Sequence, residues 1–364
     1  MKRALFDILS VGDAIEQVYS MAASGKDLRR AVSVMTGMVN EVAEIEQLDE
    51  LDAAASKLWL ALVSQEPQPD RYGFDKMGES SNTSSGELHS YWRASITLRL
   101  EMTVDGVRSV LTSAVQPILE GSSSSSSRFR VCFMASSGFW LRADDDWAFP
   151  LISATLSPCH PDSEAAWVGA LYSGAVVIDV RLRSILYGNY RRLLADDDFF
   201  VSSTGSNDIL IQRLLDALWW EGNEEKLTVV QVLARDCDAS VSKRISHMIF
   251  GTLTRTNKEK RWPFWLSTYL RLRCTHATGD EAFHLLGALM YNPNPQESLD
   301  LMELLDLGEK DDFNSRDTVT LYSVLKARVE GVSDGTTDTA VSDAVLTRLK
   351  DIVPPHLWEV VSTA

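Results

Sequence analysis

The sequence lacks the signatures that would tie it to a known chemistry. GxSxG, HExxH, paired CxxC, GxGxxG after a strand and GxxxxGK[ST] are all missing, which removes the usual serine-hydrolase, zinc-protease, zinc-ribbon and nucleotide-loop readings. Ser24-Gly25-Lys26 has no upstream glycine to complete a phosphate loop. Cysteine is scarce: Cys132, Cys159, Cys237 and Cys274 lie far apart and read as reduced thiols, not as a disulfide framework. Cys159-His160 and Cys274 with His276 have no standard zinc spacing, so no metal is expected. Histidine is also sparse, and the six residues form no nucleophile and base dyad.

Long apolar runs are missing too. No window of the roughly 20 residues needed to cross a bilayer occurs, and the first twenty residues meet acids too early for a signal peptide. The expectation is a folded cytoplasmic protein with no membrane contact, in which the sequon at Asn82 has no role. Positive charge is in short supply overall, with a formal net charge of −16. Such a total disfavours indiscriminate binding to nucleic acid while leaving room for a local basic surface.

Against that background one stretch stands out. Residues 243–273 carry Lys243, Arg244, Arg255, Lys258, Lys260, Arg261, Arg271 and Arg273 against Glu259 alone, a local charge of +7 that leaves −23 for the remainder. Phe250, Trp262, Phe264, Trp265 and Tyr269 are interleaved with these cations, a mixture suited to phosphate neutralisation and base stacking. A smaller island holds Arg181, Arg183, Arg191 and Arg192 near Tyr187 and Tyr190, with Asp179 the one acid between Val176 and Leu194. Mutual neutralisation by acidic helices explains both islands equally well. In particular, the acids from Glu297 to Asp312 could face the basic stretch. On a helical wheel from Pro263, Trp265, Leu266, Tyr269 and Leu272 fall in one arc that fits a core, and Arg273 within it needs a partner.

Hydrophobic periodicity predicts an α+β protein. Residues 1–66 read as a helical N-terminal segment, with Val32, Met35, Met38 and Val39 and then Leu58 and Trp59 at helical spacing, and with Gly25 as a stop. Residues 67–90 read as a linker or long loop. Residues 91–206 read as a β-rich middle domain, because Ile96 to Val104, Arg128 to Ala135 and Val176 to Leu186 alternate. On the last of these strands Arg181 and Arg183 would lie opposite Ile178, Val180 and Leu182. Val107 to Leu119 favours a helix, and Ser122 to Ser127 a mobile loop. Residues 207–364 read as a helical C-terminal domain.

Two triple aspartates, Asp144 to Asp146 and Asp196 to Asp198, could hold a divalent cation. Each is read first as a turn whose short side chains bond the local backbone, with the following aromatic tucked inside.

The functional expectation is a non-enzymatic, self-associating structural protein of the viral capsid or nucleocapsid kind. It would contact single-stranded RNA through Arg181, Arg183, Tyr187, Arg191, Arg192, Lys243, Arg244, Arg255, Lys258, Lys260, Arg261 and Arg271, with no catalytic residue and no cofactor. Trp219, Trp220 and Trp358 could anchor subunit contacts. The alternatives are a metal-dependent phosphate-processing enzyme built on an aspartate cluster, and an acidic helical adaptor that binds proteins.

Overall fold

The structure, a computed structural model, describes residues 28–39, 42, 44–64, 83–102, 106–195, 206–221, 227–237, 239–255, 262–307, 315–333, 335, 337–353 and 358. The chain divides into two compact units, Met1–Leu210 and Ile211–Ala364. Among the described residues there is no strand, and pairing is limited to an isolated bridge between Thr278 and Asp306. The protein is therefore all-α where described, and the expectation of an α+β fold with a β-rich middle domain is overturned.

The first unit contains α1 (Leu28–Val39), α2 (Ile45–Ser64) and α3 (Ser84–Glu101). After α4 (Val107–Val110) a π turn (Leu111–Val115) leads into α5 (Gln116–Glu120), and then come α6 (Ser124–Ala135), α7 (Ser137–Ala143), α8 (Asp145–Leu156), α9 (Ser163–Tyr172), α10 (Ala175–Ile178) and α11 (Val180–Ala195). Where described, each of the three expected strands lies in helix, for an identifiable reason; Thr103 and Val104 of the first lie outside the described residues. In α3 the pattern that counts begins upstream of the alternating run: Leu88, Trp92, Ser95, Ile96 and Arg99 are buried at spacings of three and four, while Leu100 stays exposed. Thr83 caps this helix by accepting from the Gly86 amide, so residues 84–90 are helical and the expected loop does not extend over them. The rest of that loop reading, like Gly25 and residues 1–27, lies outside the described residues.

Helix α6 is buried almost all round, from Ser125 to Met134 with only Arg128 less covered. A helix with no solvent face has no 3.6-residue contrast to display, and its Phe129, Val131 and Phe133 read as a strand by accident. The serine run opens this helix and is not a mobile loop: Ser123 accepts from the Ser126 amide, and Ser127 donates to Asp162 at 2.7 Å. Helix α9 lies close against α6, where Gly169 sits so near the Val131 carbonyl that a Cβ would collide with it. In α11, Leu182, Leu186, Tyr190 and Leu193 form the buried stripe. The alternation ahead of it is split, since Ile178 and Val180 are 68% and 58% exposed whereas Leu182 is fully buried.

Polar groups also enter this core, and they are bonded there. Asp52 of α2 accepts from Tyr91, Ser95 and Arg99 of α3 at 2.6–2.8 Å. Burial pushes its carboxyl above the usual range, although these donors oppose the shift. Arg130 of α6 spans to the Leu119 and Gly121 carbonyls and pairs with Asp162.

The second unit holds most of α12 (Ser206–Glu221), together with α13 (Leu227–Arg235), α14 (Ala239–Arg255), α15 (Phe264–Arg273), α16 (Gly279–Leu289), α17 (Pro295–Met302), α18 (Ser315–Ser333) and α19 (Thr339–Ile352). Its central helix is α16, buried from Glu281 to Leu289. Asn294 caps α17 by accepting from the Glu297 amide, and Pro295 opens that helix at a position where its missing N–H costs nothing. Helices α14 and α16 run side by side in the same direction, since successive turns meet in order: Lys243 with Asp280, Ser246 with Glu281, His247 with His284, and Phe250 with Gly287. Glycine is needed at 287, where a Cβ would stand 2.7 Å from the Phe250 ring. No described helix is long and apolar enough to cross a membrane.

Candidate nucleic-acid interface

The two cationic islands belong to different units and have different surroundings. In the first, Asp179 caps α11 by accepting from the amides of Arg181 and Leu182. The Arg181 guanidinium bonds both Asp179 and Asp145 at 2.6–3.2 Å and lies 4.2 Å over the Phe149 ring. These bonds hold the Asp145 and Asp179 carboxyls below their usual range. Arg183 donates to the Val177 carbonyl at 2.6 Å, and Arg192 to Ser163 at 3.3 Å. Tyr187 and Tyr190 are buried, so their ring faces pack inside the unit. Arg191 is exposed and reaches back to the Tyr190 hydroxyl at 3.1 Å.

The triple aspartate 144–146 is occupied in a related way. Asp144 caps α8 by accepting from the Trp147 amide, Trp147 turns inward, and Arg108 pairs with Asp144 and Asp146. This is the turn-and-cap arrangement that short acidic side chains favour. Asp196 to Asp198 lie outside the described residues. Among the described residues no three His, Cys, Asp or Glu side chains are grouped so as to hold a metal ion. Cys159 is exposed and Cys274 buried, its thiol pushed up to about 12 mainly by burial.

The second island divides in two. Its aromatic part is largely core: Phe250, Trp265 and Tyr269 are buried, and Trp265 donates to the Leu218 carbonyl while meeting Trp219 edge-on. Arg273 is buried with them and finds its partner in Glu281, through bonds of 2.6 and 2.8 Å, with a further bond to the Ala234 carbonyl. Arg271 points outward and meets Glu297, one of the acids expected to neutralise this stretch. Lys258, Lys260 and Arg261 lie outside the described residues.

The outward part is one face of α14. Ser240, Lys243, Arg244, His247, Thr254 and Arg255 are exposed and fall within about 120° of one another around the helix axis. Ile245, Ile249, Phe250 and Leu253 are buried on the other side. The helix contains no acid. One carboxylate reaches the face from α16, Asp280 to Lys243. Arg255 folds back and donates to the Gly251 carbonyl at 2.8 Å. Of the twelve residues expected at an RNA surface, the structure therefore gathers Lys243, Arg244 and Arg255 on a single face and sets Arg181 and Arg183 into internal bonds. His247 belongs to the α14 face and was not singled out from sequence, although its place one turn after Lys243 and two turns before Arg255 is a readable signal.

Neither a known protein family, nor a curated protein, nor a solved structure matches this chain.

Proposed function

We propose that the chain is a non-enzymatic structural subunit that self-associates and contacts single-stranded RNA, as a capsid or nucleocapsid protein does, and that the α14 face makes the contact. The observation that carries this reading is the exposed row of Lys243, Arg244, His247 and Arg255 on a helix whose own sequence contains no acid, in a protein of net charge −16. Segregation of this kind places positive potential where a polyanion can reach it, while the acidic remainder repels the strand elsewhere.

The size of the face supports the self-association half. Arg244 and Arg255 are eleven residues apart, about 16 Å along a helix, enough to engage roughly two or three phosphates. Exposed ion pairs contribute about 0.2–1 kcal/mol each, so a single face would hold RNA weakly. Several subunits aligned on one strand bind through effective concentration without any new type of contact.

The test is the absorbance ratio and light-scattering mass of the purified full chain, before and after high salt with nuclease. A large species rich in 260 nm absorbance that collapses on treatment supports the reading. A nucleic-acid-free oligomer keeps the assembly and discards RNA, and a nucleic-acid-free monomer discards both.

A further inference from the structure

Resting on that reading of the α14 face, we propose that RNA binding there is coupled to the uptake of one proton by the His247–His284 pair, so that the interface grips RNA more tightly as pH falls. His247 stands in the middle of the cationic row, exposed, one turn beyond Lys243 and facing the same solvent as Arg244 and Arg255. Histidine is the side chain that ordinarily changes charge between pH 5 and 8. A phosphate bound beside it stabilises the imidazolium, and by linkage the imidazolium stabilises the bound phosphate.

The limit to one proton comes from the second ring. His284 of α16 is 6% exposed, and its ring lies 4.7 Å from that of His247 at an interplanar angle of 69°. Among the described residues Nδ1 of His284 has no hydrogen-bond partner. A neutral ring at this edge-to-face angle can lie against an imidazolium through its π system. Two imidazoliums at the same separation would repel, one of them without water to screen it.

The other charged groups around the pair agree with this assignment. From α14 it is flanked by Lys243, Arg244 and Arg255. Helix α16 supplies Asp280, already engaged by Lys243, and Glu281, engaged by Arg273. Helix α13, which also packs on α14, has Arg235 as its one charged residue. The two carboxylates that α16 supplies beside the pair, Asp280 and Glu281, are thus both engaged.

The experiment is fluorescence anisotropy with a short homo-uridine RNA and the full chain, at pH 5.5 and pH 8 and over a salt series. One additional exposed ion pair corresponds to roughly a two- to five-fold tighter Kd at the lower pH. One additional neutralised phosphate steepens the slope of log Kd against log salt by about 0.7. His247→Gln, at an exposed position, should bring the ratio of the two Kd values to about one. His276→Gln, exposed beyond the end of α15, should preserve the wild-type ratio. Binding that is equal at both pH values in the wild type, or a pH dependence that survives in His247→Gln, overturns the coupling and leaves the RNA reading standing. Failure to bind at either pH overturns both.

Discussion

The two arginine-rich stretches look alike in sequence and are used differently by the fold. Around Arg181 two aspartates bond the guanidinium, the Phe149 ring lies against it, and the tyrosines turn inward. Along α14 the cations lie on the solvent side of a helix without acids, Lys243 meets Asp280 of α16, and the buried side of the helix is entirely apolar or hydroxyl-bearing. Local charge thus says how many cations a segment carries, whereas the partners brought in by packing decide how many face solvent. Arg273 and Arg271 make the point within one helix: two residues apart, one is buried on Glu281 and the other is exposed beside Glu297.

That contrast can be broken most sharply at the buried pair. Glu281→Ala leaves the Arg273 guanidinium without its carboxylate in a dry site, and should cost about 3–5 kcal/mol in urea unfolding. A loss below about 1 kcal/mol would mean that water reaches this pair, and that cations of the second stretch are not sorted into inside and outside as described. The next effect is a pH dependence of stability. Burial, reinforced by His247, lowers His284 to about 4, and burial lowers His89 to about 3, both from 6.5. In the folded state these rings resist protonation, so the unfolded chain binds more protons below pH 6.5. Their contribution is complete above that value and is lost as pH falls toward 4 and 3. Between pH 6.5 and 5 each should account for roughly 2 kcal/mol, and urea midpoints that do not move over this interval would contradict the burial of both rings.

Smaller effects sharpen the comparison at the surface. Arg244→Ala with Arg255→Ala should weaken binding of single-stranded RNA by roughly three- to thirty-fold at low salt, leaving the circular-dichroism spectrum unchanged. Equal binding by this double variant would remove α14 from the interface. The smallest change is expected for Arg181→Ala. Its partners are solvent-accessible carboxylates, and exposed pairs of this type contribute little to stability. RNA affinity should also stay near the wild-type value, and a large loss would restore the first stretch as a contact surface.

How much of this was legible in the sequence varied with solvent exposure. Amphipathic helices announced themselves: Met35, Met38 and Val39 in α1, and the arc of Trp265, Leu266 and Tyr269 in α15, are buried as their spacing implied. So did the acid-and-turn chemistry of Asp144. The central helices were misread because burial on every side erases the helical contrast. In α6 a run of alternating aromatics and valine within an otherwise buried segment imitates a strand. Alternation in 176–186 had a different origin, with the exposed Ile178 and Val180 straddling the short break at Asp179 between two helices.

The interface was half legible for a related reason. Sequence supplied its cations and set Arg273, inside the apolar arc, apart from Arg271, but it could not name their partners, Glu281 and Glu297, which lie 8 and 26 residues away in the chain. Nor did it separate Phe250 from stacking aromatics, since that ring serves the interior at a position that a binding surface would also use.

The most direct measurement is the salt dependence of binding to a short homo-uridine RNA by the wild type, by Arg244→Ala with Arg255→Ala, and by Arg181→Ala with Arg183→Ala. Neutralising two phosphate contacts fewer should flatten the slope of log Kd against log salt by about 1.4 in the α14 variant, and the slope of the other pair should match the wild type. Flattening in the second variant with none in the first would contradict the assignment of the interface to α14.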